Sequence, residues 1–164
     1  MIQQFTNELT PAILADMEKS PFTETELANM VSESRHQIEE RSAYFHKHPV
    51  KAIYRVAVAG SLTLRGGVVD EFNPSSKEGH KIKLSNDQWA SVATEGCQVT
   101  YPDGSTARIL TSAGRMSVSM GKGIALVGSQ LDNGDEITST PQSTEMLLCR
   151  EGVPVPDDFL AERR

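Results

Sequence analysis

The stretch VAVAGSLTLRGGVV, residues 56–69, is echoed later in the chain as IALVGSQLDNGDEI, residues 124–137. Ala57, Gly60, Ser61 and Gly66 return as Ala125, Gly128, Ser129 and Gly134, each 68 positions further on. A looser third copy lies between them. In WASVATEGCQVTYPDG, residues 89–104, a small-residue strand again runs into a glycine, Gly96, and a second, Gly104, follows at a turn. Three strand-to-turn units in one chain predict a body with pseudo-threefold repeats. Glycine has no Cβ and lets backbones crowd where side chains would not fit. Such a body can therefore taper, with Gly66, Gly104 and Gly134 gathered at one extremity.

Around the repeats the pattern divides the 164 residues into three parts. Residues 1–50 read as a helical extension. Thr10 caps a short helix with Pro11 in its first turn, and Ile13, Leu14 and Met17 share a face. The run TETE, Thr23 to Glu26, fits a capping box, and Leu27, Met30, Val31, Ser34, Ile38 and Phe45 follow a helical stripe that ends before Pro49. Residues 51–141 change to period two: AIYRVAVAG, HKIKLS, QWASVAT, ARILTS, MSVSM and GIALVGS are short strands between Gly, Asn-Pro, Pro-Asp-Gly and Asn-Gly-Asp turns. The fold class expected is mainly β, a small conical β-hairpin or β-roll domain carrying an N-terminal helical extension. Residues 142–164 form a tail that adds one strand and then frays.

Several functions are disfavoured by composition. Sixteen basic against 22 acidic residues give a formal charge of −6, which argues against a phosphate-binding surface and so against nucleic acid as a partner. No apolar run approaches ~18 residues and the N-terminus lacks a signal-peptide pattern, so a cytoplasmic start without membrane anchoring is expected. Cys97 and Cys149 form no Cys-x-x-Cys and read as free thiols. His36, His46, His48 and His80 have no ligand spacing and read as solvated. Asp132, Asp135 and Glu136 invite an acid-base or calcium reading, but the calcium frame is incomplete and a turn of this composition is expected of any tight β connection. No Ser-His-Asp or Cys-His pattern is supported, so no enzyme and no catalytic residue is predicted.

The repeated turns carry a resemblance. GSLTLRGG (60–67) resembles a Gly-Asp-x-Thr-x-His-Gly-Gly turn, GCQVTYPDG (96–104) a Gly-Asp-x-Val-x-Cys-Pro turn ending in His and Gly, and GSQLDNG (128–134) a Gly-Asp-x-Thr-x-Cys-Gly turn. In this order they are similar to the PAAR (proline-alanine-alanine-arginine) repeat family, the conical caps on the spikes of type VI secretion systems and other contractile injection machines, phage tails included. The resemblance covers residues 52–141. The eponymous tetrapeptide is absent, and SMGKGIALV (119–127) stands in its place.

The resemblance implies an apex made by Arg65, Gly66, Gly67, Tyr101, Pro102, Asp103, Gly104, Asn133 and Gly134. Family members usually bind one zinc there through histidine and cysteine. Those positions here hold Arg65, Tyr101, Asp103 and Asn133, which are not thiolate or imidazole ligands, so no zinc and no other cofactor is expected. Arg65 and Asp103 are expected to form a charge-assisted hydrogen bond in its stead, with Tyr101 and Asn133 adding polar contacts. At the wide end Val56, Val58, Trp89, Val92, Ile124 and Leu126 either contact a spike or fill the cone's own core.

The resemblance further implies a non-enzymatic spike tip, one copy capping a trimeric spike protein, assembled in the cytoplasm and then delivered by the machine to pierce a membrane. The N-terminal helices could lie along the cone or hold a cargo or chaperone. Two alternatives stand beside this: a delivered effector or cargo adaptor that uses the cone as a vehicle, and a free-standing β-rich module that binds glycans or another surface ligand.

Overall fold

In the computed structural model, residues 3–18, 23–71 and 80–161 are described. The chain is mainly β, with three α-helices and several small sheets among those residues. It divides into two compact units, one of Met1–Asn7, Ile53–Leu147 and Val155–Arg164, the other of Glu8–Ala52 and Leu148–Pro154.

The helices α1 (Pro11–Glu18), α2 (Glu24–Ala28) and α3 (Ser32–Lys47) lie in the second unit. Each begins or ends as its local chemistry dictates. Thr10 Oγ1 accepts the Ile13 N–H at 3.2 Å. Thr23 Oγ1 accepts the Glu26 N–H at 3.1 Å, capping α2, and donates to Glu26 Oε1 at 3.2 Å, so the two side chains pair rather than completing the reciprocal capping box. The helix expected to run on from Thr23 to the His48 region is broken. Asn29 stops α2, its N–H returning to Thr25 and Glu26 carbonyls, and Val31 is extended (φ −63°, ψ 150°) before α3 starts. The apolar period crosses the break in phase, so periodicity alone could not reveal it. At the other end of α3, Arg150 Nη1 donates to the His48 carbonyl at 3.0 Å while its guanidinium lies 4.1 Å from the Phe45 ring centroid. That contact satisfies a terminal carbonyl and adds a cation–π attraction.

The strands are β1 (Val50–Arg55), β2 (Leu62–Thr63), β3 (Val68–Val69), β4 (Lys81–Lys83), β5 (Trp89–Ser91), β6 (Gln98–Thr100), β7 (Thr106–Arg108), β8 (Val118–Ser119), β9 (Lys122–Gly123), β10 (Ile137–Ser139) and β11 (Met146–Arg150). One sheet runs β10-β2-β3-β6-β7. Its two ends meet. Beyond β7, Ile109 bridges Leu131, the Leu110 N–H donates to Gln130 O at 2.8 Å and the Asp132 N–H to Arg108 O at 2.9 Å. Gln130 in turn bridges Glu136, next to β10. Three hairpins are thereby paired in a closed circuit, which removes the edges an open sheet would present.

Below the hairpins a smaller circuit recurs. The Ala57 N–H donates to Ala125 O, the Ala125 N–H to Ala93 O and the Ala93 N–H to Ala57 O, each at 2.9 Å. Two residues on, Ala59 donates to Ser91, Glu95 to Gly123 and Val127 to Arg55, at 2.9, 3.0 and 2.8 Å. One residue before the alanines, Val56, Val92 and Ile124 donate to Glu145, His80 and Ser117, at 3.2, 2.9 and 2.9 Å. Those last partners adjoin β11, β4 and β8, which pair with β1, β5 and β9 as two-stranded ribbons. Every one of the three segments thus enters from a ribbon and leaves into a hairpin.

Alternation along these segments splits the core in two. Ala57, Ala93 and Ala125 face the hairpin side, packed with Val69, Val99, Ile109, Leu131 and Ile137. Val56, Val58, Val92, Ile124 and Leu126 face the ribbon side, packed with Ile82, Ala90 and Ala113 and joined by Tyr54, Leu147, Phe159 and Leu160. Alanine fits the circuit because only a small side chain allows three backbones to approach within hydrogen-bonding distance of one another.

Candidate functional site

The hairpins end in three turns of one construction. Thr63, Tyr101 and Leu131 each open a turn, their N–H groups donating to the carbonyls of Gly67, Ser105 and Asp135, all at 2.9 Å. Their own carbonyls accept from Gly66, Gly104 and Gly134 at 3.2, 2.9 and 3.1 Å. All three of these glycines have φ of +86°, the left-handed bulge position of a hairpin loop where glycine is favoured. Arg65, Asp103 and Asn133 occupy the same place in their respective turns, one before the glycine.

A second set of turns lies where the segments pass into the hairpins. Gly60, Gly96 and Gly128 donate to Val69, Ile109 and Ile137 at 2.9, 2.8 and 2.8 Å. The residue after each glycine bonds back to the segment. Ser61 Oγ accepts from Val58 N–H at 3.1 Å, Ser129 Oγ from Leu126 N–H at 2.9 Å, and Cys97 Sγ from Thr94 N–H at 3.4 Å. Cys97 therefore does the work of a serine hydroxyl in the middle copy.

Among the three hairpin turns lies a polar network centred on Asp135, a residue only 1% exposed. Its Oδ1 accepts the backbone N–H groups of Arg65 at 3.1 Å and Glu136 at 2.8 Å, and its Oδ2 accepts the Tyr101 hydroxyl at 2.6 Å. The Thr63 hydroxyl, which accepts the Gly67 N–H at 2.8 Å, belongs to the same turn as Arg65. Burial acts to raise the Asp135 carboxyl, but the polar influence of Thr63 and the hydrogen bonds from Tyr101, Glu136 and Arg65 outweigh it and hold the group below its ordinary value. Burial and the adjoining Asp135 carboxylate push the Tyr101 phenol up. The Tyr101 oxygen also accepts from Asn133 Nδ2 at 2.9 Å, and Arg65 Nη1 donates to the Asn133 carbonyl at 3.0 Å.

The expected pairing of Arg65 with Asp103 is corrected by this arrangement. Asp103 Oδ1 accepts from Ser105 N–H and Ser105 Oγ, at 2.9 and 2.5 Å, within its own exposed turn. Those bonds, the side-chain one foremost, hold the Asp103 carboxyl low. Arg65 has turned instead to Asn133. Tyr101, Asn133 and Arg65 are brought together; Pro102, Asp103 and Gly104 belong to the middle turn without joining the network. The central residue, Asp135, was read as an ordinary turn acid. Its only sequence signal is its place, since Gly67 and Ser105 are its counterparts in the other turns and neither carries charge.

Gly67 is required for a different reason from the turn glycines. A Cβ there would meet Val99 Cγ1 at 2.7 Å and both Thr63 Oγ1 and Tyr101 Cε1 at 2.9 Å. The bare backbone lets the Tyr101 ring reach Asp135.

Of the six residues considered for the wide end, Val56, Val58, Val92, Ile124 and Leu126 are buried in the ribbon-side core and only Trp89 is exposed, at 61%. Other apolar side chains are presented by the ribbons: Val118 is 53% and Met120 71% exposed, with Met116 beside them. Met120 holds φ +53° in the tip of the β8–β9 hairpin, beside Gly121 at +78°.

Three of the histidines have polar partners. His36 contacts Glu40 at 2.9 Å and His80 contacts Glu145 at 3.0 Å, while His48 Nδ1 lies 2.9 Å from the Glu151 carbonyl. Cys97 and Cys149 are free thiols. Among the described residues no three His, Cys, Asp or Glu side chains group so as to hold a metal ion, and no helix is long and apolar enough to cross a membrane. Neither a family model, nor a curated protein, nor a solved structure matches this chain.

Proposed function

We propose that the chain is a PAAR-like spike tip: a non-enzymatic cap, one copy per trimer, that closes and sharpens the end of a trimeric spike in a contractile injection machine. The observation that carries the reading is the circuit Ala57 to Ala125 to Ala93 and back to Ala57. Three segments of one chain follow one another there as three identical chains do around a threefold axis. With units starting at Val56, Val92 and Ile124, the same bonds recur unit by unit at the ribbon, at the first glycine and at the hairpin turn. A conical body with a pseudo-threefold axis accounts for this recurrence.

On this reading the hairpin turns are the apex and the ribbons are the base. A trimeric spike ends in open strand edges and the cross-section of an apolar core, and an open edge pairs indiscriminately. A cap with three like faces satisfies three equivalent edges in one event. The apex presents short turns from a closed circuit of hairpins, so it offers a penetrating tip without an edge of its own. At the base the contacts come from Trp89, Met116, Val118 and Met120 rather than from the buried valines and leucine. Fully burying one side chain of that size contributes about 1.5–3 kcal/mol, so a few of them seat the cap firmly.

The test is isolation of the tagged full-length chain from its host and native mass measurement of what comes with it. One copy bound to three copies of a partner is expected, and Trp89→Asp with Met120→Asp should abolish the complex while far-UV circular dichroism stays unchanged. A partner in equal copy number, or carbohydrate binding with no trimeric partner, contradicts the proposal.

A further inference from the structure

The geometry points to a second feature, independent of the spike reading: Asp135 is the centre of a metal-free clasp that ties the three hairpin turns together through a single carboxylate. Each turn contributes. The first gives the Arg65 N–H, the second the Tyr101 hydroxyl, and the third the carboxylate itself and the Glu136 N–H. The outer layer completes it, since Asn133 Nδ2 donates to the Tyr101 oxygen and Arg65 Nη1 to the Asn133 carbonyl. The second oxygen of the carboxylate binds the ring hydroxyl at 2.6 Å, the short distance of a charge-assisted bond.

These residues do not fit a zinc ion. One carboxylate, a phenol, a hydroxyl, an amide and a guanidinium supply no thiolate or imidazole, and the carboxylate is already engaged by three donors. Where a zinc would hold converging turns by drawing in several anionic or neutral ligands, the clasp inverts the polarity: one anion draws in several donors. The clasp needs its centre ionised. Its charged neighbours are Arg65, which meets it through the backbone N–H, and Glu136, also through its N–H; Asp103 is tied to Ser105 in its own turn, and Asp132 lies outside the bonding.

The sign of the pH dependence follows. A carboxyl held below its ordinary value when folded contributes stability that is fully present above about pH 4 and is lost as pH falls through the folded value. The test uses the full chain, with the Asp135 side-chain carbon titrated by NMR and urea midpoints taken across the acid range, with and without a strong chelator. The expected results are three: Asp135 titrates below the ordinary aspartate range, chelation leaves the midpoint unchanged, and Tyr101→Phe, which deletes one donor, moves the Asp135 titration to higher pH. Asp135→Asn is expected to lower the midpoint at neutral pH and flatten its fall in acid; should that variant not fold, Tyr101→Phe decides alone. Bound zinc whose removal lowers the midpoint, or an Asp135 titration that ignores Tyr101→Phe, overturns the clasp. Neither outcome bears on whether a trimeric partner is bound.

Discussion

Gly67 and Gly66 are adjacent and fail differently when changed. A methyl at Gly67 would sit 2.7 Å from Val99 Cγ1 and 2.9 Å from Tyr101 Cε1, so Gly67→Ala pushes the tyrosine ring off Asp135. Overpacking of this kind costs about 1–3 kcal/mol. Gly66 has open space at its Cβ position but φ +86°, so Gly66→Ala pays only for the left-handed backbone, about 1–2 kcal/mol. Urea unfolding of the two variants should therefore show comparable losses. Only Gly67→Ala should also raise the pH at which Asp135 titrates. The need for glycine at these turns was legible in the sequence, because the spacing repeats. The bonding of Asp135 was not. Asp, Asn and Gly are what any tight turn contains, and the choice of Asn133 over Asp103 by Arg65 depends on how three hairpins pack, which no single turn records.

At the level of elements, local chemistry was the reliable guide. Thr10 and Thr23 cap, and Pro49 ends a helix, where they were expected to, though Glu26 bonds the Thr23 hydroxyl rather than closing the box. The break at Asn29–Val31 was hidden because the apolar stripe continues in phase through it, and α3 keeps no buried residue to show which face matters. Similarly, period two did not say which of Val56, Val58, Trp89, Val92, Ile124 and Leu126 were core; the structure buries all but Trp89. Part of the cover over the buried five is residues 155–161. Phe159 meets the Tyr54 ring edge-on at 5.0 Å, and the Leu160 N–H donates to Ser112 O at 2.6 Å. Asp158 Oδ2 accepts the Arg115 N–H at 3.0 Å in a space that exists only because Gly114 has no side chain. A Cβ at Gly114 would lie 2.6 Å from Asp158 Oδ2, so Gly114→Ala should displace this segment. Hydrogen exchange should then show lost protection at Leu160 while the amides of Ala57, Ala93 and Ala125 keep theirs; retained protection at Leu160 would mean the segment is held elsewhere.

For the whole molecule, what matters is closure. Offsets and glycines in the sequence marked a recurring motif, and period two marked the strand-forming runs without saying how they pair. That the last copy returns to the first required the structure, since a linear pattern does not say whether an array ends in free edges or meets itself. Closure also explains why small residues recur at Ala57, Ala93 and Ala125: each both gives and receives a bond from a neighbour, so a larger side chain at any one would open all three. The most direct measurement is therefore NMR detection of scalar couplings across hydrogen bonds in the isotopically labelled chain. The account predicts three that close on themselves, from the amide nitrogens of Ala57, Ala125 and Ala93 to the carbonyl carbons of Ala125, Ala93 and Ala57. A coupling from any of these amides to a residue outside the set, or rapid solvent exchange at one of them, would contradict it.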